Sequence, residues 1–270
     1  MMNVGIDLGA SAAKLAVLEN GKLVYRAYVG NGEGEPAAIL DGIQRRHAFR
    51  PDVVALTGVG AAALSPETLW PDCPVRRVLE VEAIAAGTRF LTGLEEFLCV
   101  SIGTGTAFVL VRKGKTTHIG GSAFGGGALQ ALCRKILGGG VRESLAPLCT
   151  KGDLSRVDLL MGELPSCPPT LDPAMTAANL VKTDENTPPE DWAIGILNAV
   201  VETVGSMAYL AASAYGAEHI VFTGGPTSIP ETAVILDAFN RVYPHRFLVP
   251  ENADCCTAIG AAFLCAGGEI

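Results

Sequence analysis

Residues 97–129 read FLCVSIGTGTAFVLVRKGKTTHIGGSAFGGGAL, and their alternation of apolar runs with glycine turns decides the fold. Residues 97–102 read as a buried strand, 106–113 and 116–120 as two more, and 126–137 as a helix opened by three glycines. The chain begins with the same order: strands near 3–7, 14–19 and 22–29, then a helix near 36–48. Strand 52–57, helix 59–64, strand 75–81 and helix 82–92 follow the first set. Strand 218–223, helix 229–240, strand 246–249 and helix 254–266 complete the second. A β-β-β-α-β-α-β-α order therefore occurs twice, in 1–94 and in 95–270. It predicts two α/β domains facing each other across a cleft, with a single large sheet as the competing arrangement. An insertion over about 139–216 reads as helical, with proline-rich breaks at 165–173 and 187–189.

Composition narrows the class. Of 270 residues, 49% are hydrophobic and 18% charged, which excludes a disordered chain. Twenty Lys and Arg against 28 Asp and Glu leave a net charge of −8, which argues against general binding of nucleic acid or an anionic membrane. A local anion site built from backbone N–H groups remains open. The eight cysteines (73, 99, 133, 149, 167, 255, 256, 265) form no C-x-x-C pair and have no zinc spacing; they read as reduced, buried thiols of a cytoplasmic protein. The first residues carry no secretory pattern. The apolar stretch 194–217 contains Asn198 and Glu202 and reads as a buried or subunit-interface helix rather than a membrane span.

Five motifs carry candidate chemistry. Asp7-Leu8-Gly9-Ala10-Ser11-Ala12-Ala13-Lys14 joins two strands by a tight turn, offering backbone N–H groups, the Ser11 hydroxyl and the Lys14 cation to a phosphate, with Asp7 placed to hold a hydrated magnesium ion. Ser101-Ile102-Gly103-Thr104-Gly105-Thr106 is the matching, hydroxyl-rich turn of the second copy. Gly120-Gly121-Ser122-Ala123-Phe124-Gly125-Gly126-Gly127 precedes a helix whose free N–H groups would suit an anion. Thr223-Gly224-Gly225-Pro226 ends a strand and would let a flat ring lie on backbone. In Leu79-Glu80-Val81-Glu82 the two carboxylates share a face if the segment is a strand, and one could accept a hydroxyl proton. Each has an ordinary reading as well: a hairpin, a βα turn, or acids at a helix start.

Together these residues resemble the actin, hexokinase and heat-shock ATPase superfamily, and within it the type II (eukaryotic-type) pantothenate kinases. The resemblance also rests on Val4-Gly5-Ile6, Met175-Thr176-Ala177-Ala178-Asn179 and Ala258-Ile259-Gly260-Ala261, and it runs in order along nearly the whole chain. It implies duplicated ribonuclease H-like domains and ATP-dependent phosphorylation of pantothenate, the entry to coenzyme A. Glu80 would be the catalytic carboxylate, and Glu80, His118 and Ser122 would face the substrate. ATP phosphates would lie among Asp7, Gly9, Ser11, Lys14, Gly103, Thr104, Gly105, Thr106, Gly121, Gly125, Gly126, Gly127, Gly224 and Gly225, with Mg²⁺ near Asp7. A homodimer through helix 190–216 is implied too. The family usually carries Arg before V-G-G, where this chain has His118-Ile119-Gly120-Gly121. His cannot form a bidentate fork, so either His118 does a weaker version of that job, or Arg89, Arg112 or Lys115 supplies the cation, or the acceptor differs or activity is lost. The rival readings are a kinase for an amino sugar or another small alcohol, with Glu82 as its carboxylate, and an ATP-driven activator holding an iron–sulfur cluster, for which Cys133 lies nearest the glycine loop.

Overall fold

The computed structural model describes residues 1–10, 12–30, 36–63 and 70–268. Strands β1 (Met2–Leu8), β2 (Ala12–Glu19) and β3 (Lys22–Gly30) form a meander, followed by α1 (Pro36–His47), β4 (Val53–Thr57), β5 (Val75–Arg77) and α2 (Glu80–Thr92). The order restarts with β6 (Phe97–Ile102), β7 (Thr106–Arg112), β8 (Lys115–Ser122) and α3 (Gly126–Leu132), which runs into a π turn at Cys133–Leu137. A second π turn (Val141–Leu145), α4 (Ala146–Cys149), a two-stranded ribbon of β9 (Leu159–Leu160) and β10 (Thr176–Ala178), and α5 (Pro189–Tyr215) come next. Then β11 (His219–Thr223), α6 (Pro230–Val242), β12 (Arg246–Leu248) and α7 (Cys256–Cys265) close the chain.

The two five-stranded sheets run β3-β2-β1-β4-β5 and β8-β7-β6-β11-β12, so the strand order is the same in both. Each pairs its meander antiparallel and its two later strands parallel to the central one. The duplication reaches the turns. Gly58 follows β4 at φ 90° and Gly224 follows β11 at φ 99°. A Cβ on Gly58 would press on the Leu8 carbonyl, and one on Gly224 would overlap that of Ile102; both carbonyls end a central strand.

Helices α2 and α7 lie between the sheets. Ile84 and Ala85 of α2 pack on Phe97, Cys99 and Val109 of the second sheet. Ala258 and Ile259 of α7 pack on Ala16 of the first. The two helices touch through glycine: a Cβ on Gly260 would overlap the Ala83 carbonyl, one on Gly87 that of Cys256, and one on Gly5 of β1 that of Ala258. Polar groups anchor the insertion. Asp158, fully buried, accepts from Asn198 Nδ2 at 2.9 Å, Thr176 Oγ1 at 2.8 Å and the Leu180 N–H at 2.8 Å. Helix α5 is long and apolar enough to cross a membrane by length and composition, but its Leu197, Val200, Val201 and Val204 fill the core on the second sheet.

Several sequence expectations need correction. The strand expected over 75–81 ends at Arg77, and Glu80 opens a helix. Glu80 and Glu82 therefore do not share a face, being about 200° apart around the helix. The helix expected over 59–64 is a 3-10 turn at Ala61–Ala63, and its last position lies outside the described residues. The helix over 126–137 changes to π geometry after Leu132. The insertion includes the β9–β10 ribbon, where only helix was expected.

Gly260→Ala is expected to cost about 1–3 kcal/mol or more by overpacking the α2–α7 contact. Gly42→Ala, in α1 with open space around it, should instead stabilise by up to about 1 kcal/mol through helix propensity. Urea unfolding of the two variants checks the opposite signs.

Candidate active site

The strand directions bring the glycine turns together. Strands β1, β4 and β5 are mutually parallel, as are β6, β11 and β8, and the segments after their carboxyl ends line one cleft of about 630 Å³. Ligands of open α/β sheets bind at this edge. Asp7, Gly9, Lys14, Glu80, Gly103, Thr104, Gly105, Thr106, Ser122, Gly126, Gly127 and Gly225 all border the cleft. Gly121, Gly125, Gly224 and His118 do not, and Ser11 lies outside the described residues.

The glycine loop earns its composition by close backbone approach. The Gly126 and Gly127 N–H groups donate to the carbonyls of Gly103 and Thr104, both at 2.8 Å. Two of the leading N–H groups of α3 are therefore spent on the neighbouring turn, not free for an anion as expected. A Cβ on Gly121 would overlap the Thr106 carbonyl, and one on Gly125 would sit 2.8 Å from the Gly105 carbonyl carbon. Thr106 Oγ1 donates to the Phe124 carbonyl at 2.9 Å, and the Phe124 N–H donates to Ser122 Oγ at 3.0 Å. Gly121 and Gly125 thus shape the wall without forming its surface.

A line of charges crosses the cleft. Lys14 Nζ donates to Asp7 Oδ2 at 3.0 Å, so this cation is already paired and fixes the carboxylate. Burial works to lower the Lys14 pKa, but the charge and hydrogen bond of Asp7 outweigh it and hold it above the ordinary lysine value. Asp7 Oδ1 is buried and has no hydrogen-bond partner. A carboxylate oxygen left open beside a cleft fits a water-bridged Mg²⁺. Glu80 opens α2 at the cleft wall; burial first and the Asp7 charge second push its carboxyl above the ordinary glutamate value, while Lys14 pulls it down. On the other side, Lys14 stands 5.8 Å from the Tyr28 ring centroid, and the Arg142 guanidinium lies over that ring at 3.8 Å. Asp254 receives Arg26 Nη1 on both oxygens at 2.9 Å.

Tyr28, Arg134 and Arg142 line the cleft and were not singled out from sequence. Gly138-Gly139-Gly140 directly before Val141-Arg142 was the available signal. The cations expected to replace the missing family arginine are elsewhere. Arg89 pairs with Glu95, Arg112 donates to the Tyr215 carbonyl, and Lys115 sits with Arg112 at the far end of the β7–β8 hairpin. His118 is exposed on β8, opposite Val109 and on the side of the sheet that α2 covers. Glu82 is exposed and outside the cleft. Cys133 is buried, and burial pushes its thiol up to about 12. Among the described residues no three His, Cys, Asp or Glu side chains form a metal-binding group.

Two matched sheets closing on a cleft of glycine turns define an actin-like ATPase fold. Solved structures agree: the activator of the 2-hydroxyisocaproyl-CoA dehydratase from Clostridium difficile with bound ADPNP superposes with a TM-score of 0.65 at 20% identity, over 98% of this chain and 94% of that one. A ROK family glucokinase from Streptomyces griseus, in complex with glucose and AMPPNP, gives 0.58 at 14% identity over 99% and 100%. Residues 92–233, more than half of the chain, match the Fumble family, and the chain belongs to it. A type II pantothenate kinase of Oceanobacillus iheyensis is 28% identical over 235 residues, 83% of this chain and 84% of its own length.

The site's electrostatics predict that the Glu80 carboxyl titrates above the ~4.3 of an ordinary glutamate. Lys14→Met should raise the midpoint further by removing the opposing cation, and Asp7→Asn should lower it. Carboxyl-carbon NMR across a pH series measures all three; a wild-type midpoint at or below the ordinary value contradicts the arrangement.

Proposed function

We propose that the chain is an ATP-dependent kinase that phosphorylates the primary hydroxyl of pantothenate. The convergence of Glu80, the Asp7–Lys14 pair, the Gly9 turn and the Gly103–Thr106 turn on one cleft carries this reading. The relationship to curated type II pantothenate kinases supports the acceptor.

Phosphoryl transfer demands positioning and charge compensation more than covalent chemistry. Glu80 orients the acceptor hydroxyl and takes its proton; a carboxyl raised above its ordinary value is the stronger base once ionised. Lys14 holds Asp7, whose unpaired Oδ1 would hold Mg²⁺ through water. The ion, when bound, offsets charge on the phosphate oxygens. The turns at Gly9 and at Gly103–Thr106 present backbone to the phosphates, and Gly225 lies where the base of the nucleotide rests. Ser122 borders the acceptor side. His118 holds the sequence position of the family arginine, on the α2 side of β8 and outside the cleft, so it adds no bidentate contact to the acceptor. Two chains pair along α5, whose Leu210 and Tyr215 face solvent. Glu82 lies outside the cleft that Glu80 borders, which disfavours a kinase that uses it as base, and the buried Cys133 disfavours an iron–sulfur activator.

Glu80→Gln should reduce turnover by about 10²–10⁴-fold while ATP still binds. Turnover retained by this variant removes Glu80 from the reaction. In an ADP-release assay with pantothenate, glucose and N-acetylmannosamine, only pantothenate should stimulate; stimulation by a sugar alone reassigns the acceptor. The pH–rate profile should lose activity as pH falls through the Glu80 pKa, in a limb above the ordinary carboxylate range.

A further inference from the structure

The cleft contains a cation that no motif explains. Arg142 sits on the π turn after the triple glycine, in the insertion, and reaches across to the first sheet. Its guanidinium carbon lies over Tyr28, 3.8 Å from the ring centroid. A ring contact uses no oxygen acceptor, so the guanidinium keeps donor capacity. The nearest acid is Asp254, whose Oδ2 is 4.0 Å from Arg142 Nη2, beyond hydrogen-bond length. Asp254 is already satisfied by Arg26 at 2.9 Å through both oxygens. Lys14 is committed to Asp7. Glu143, the next residue, is turned onto its own loop, where a Cβ on Gly140 would overlap its Oε2. Arg142 thus brings into the cleft a positive charge whose pairing with Asp254, at 4.0 Å, is too long for a hydrogen bond.

Position along the charge line specifies what it would meet. Glu80 is coupled to Asp7 and Lys14, and Lys14 and Arg142 both neighbour the Tyr28 ring. A nucleotide whose terminal phosphate is at Glu80 and Asp7 would therefore bring its inner phosphates toward Arg142. We propose that Arg142 is a polyphosphate-binding residue, which slides off the Tyr28 ring to form a charge-assisted fork with the phosphates inside the transferred group. The proposal rests on the nucleotide reading of the cleft. It adds a contact supplied by the insertion rather than by either glycine turn. Because Tyr28 belongs to the first sheet and Arg142 to the second half, the same residue joins the two walls before nucleotide arrives.

Calorimetric titration of wild type, Arg142→Ala and Arg142→Lys with ATP, ADP, AMP and adenosine tests it. Arg142→Ala should weaken ATP and ADP about ten- to a hundredfold, the worth of a hydrogen-bonded charge, with adenosine nearly unaffected. Arg142→Lys should recover part of the loss, since a point charge remains but the fork does not. The ATP affinity of wild type should fall more steeply with salt than that of Arg142→Ala. Unchanged ATP affinity in Arg142→Ala overturns the proposal, as does an equal loss for adenosine and ATP, which would mean that the guanidinium stacks on the base. If wild type binds no adenine nucleotide at all, the nucleotide reading itself fails, a result separate from those two. Should the alanine variant unfold, shown by its thermal transition, Arg142→Gln keeps the stem and gives the same comparison.

Discussion

The contact of α2 with α7, made without side chains at its centre, sets the geometry on which the rest depends. Gly87 and Gly260 let each backbone approach the other's carbonyls, and Gly5 lets β1 approach α7. Two sheets are thereby held by a two-helix layer too thin to admit even a methyl group at these points. Helix α2 starts at the cleft wall, and α7 starts beside the Arg26–Asp254 pair. Glu80 is the first residue of α2, and Asp254 precedes the first turn of α7. The position of Glu80 relative to the Asp7–Lys14 pair, and of Asp254 relative to Arg26 and Arg142, follows from this packing. A core of bulkier residues could be equally apolar and still separate the groups that must meet.

The duplicated order was legible because it is written in two strong signals. Apolar runs of strand length alternate with glycine turns, and those turns recur at matching places in both halves. The start of α2 was less legible. Val75, Leu79 and Val81 fall on alternate positions as a strand face would, and Leu79, the residue before the helix, provides no side-chain cap. Tertiary packing of Ala83, Ile84 and Ala85 between the sheets settles the helix instead.

Glu80, Asp7 and the two Gly/Thr turns could be found from sequence because short motifs hold them. Arg142 could not, since its role comes from a spatial neighbour, Tyr28, more than a hundred positions earlier. The bonding of Gly126 and Gly127 to Gly103 and Thr104 is hidden for the same reason. A triple glycine before a helix reads locally as an open anion site, yet here much of it serves to bring two backbones together. Composition was informative at a coarser level: a chain of net charge −8 offers an anion few free cations. Those that reach the cleft are consequently placed one by one rather than spread as a patch.

The matched glycines at 58 and 224 carry a consequence for ancestry. Each supports the turn of its own central strand by the same left-handed step, so the backbone frame of one half is a copy of the other. The side chains on that frame have diverged. Asp7 stands just before the turn in the first half, and Ser101 occupies the corresponding place in the second. An internally symmetric ancestor would have carried the same residue twice. Divergence of the halves then required no new backbone, only a change of side chain at that place on one side.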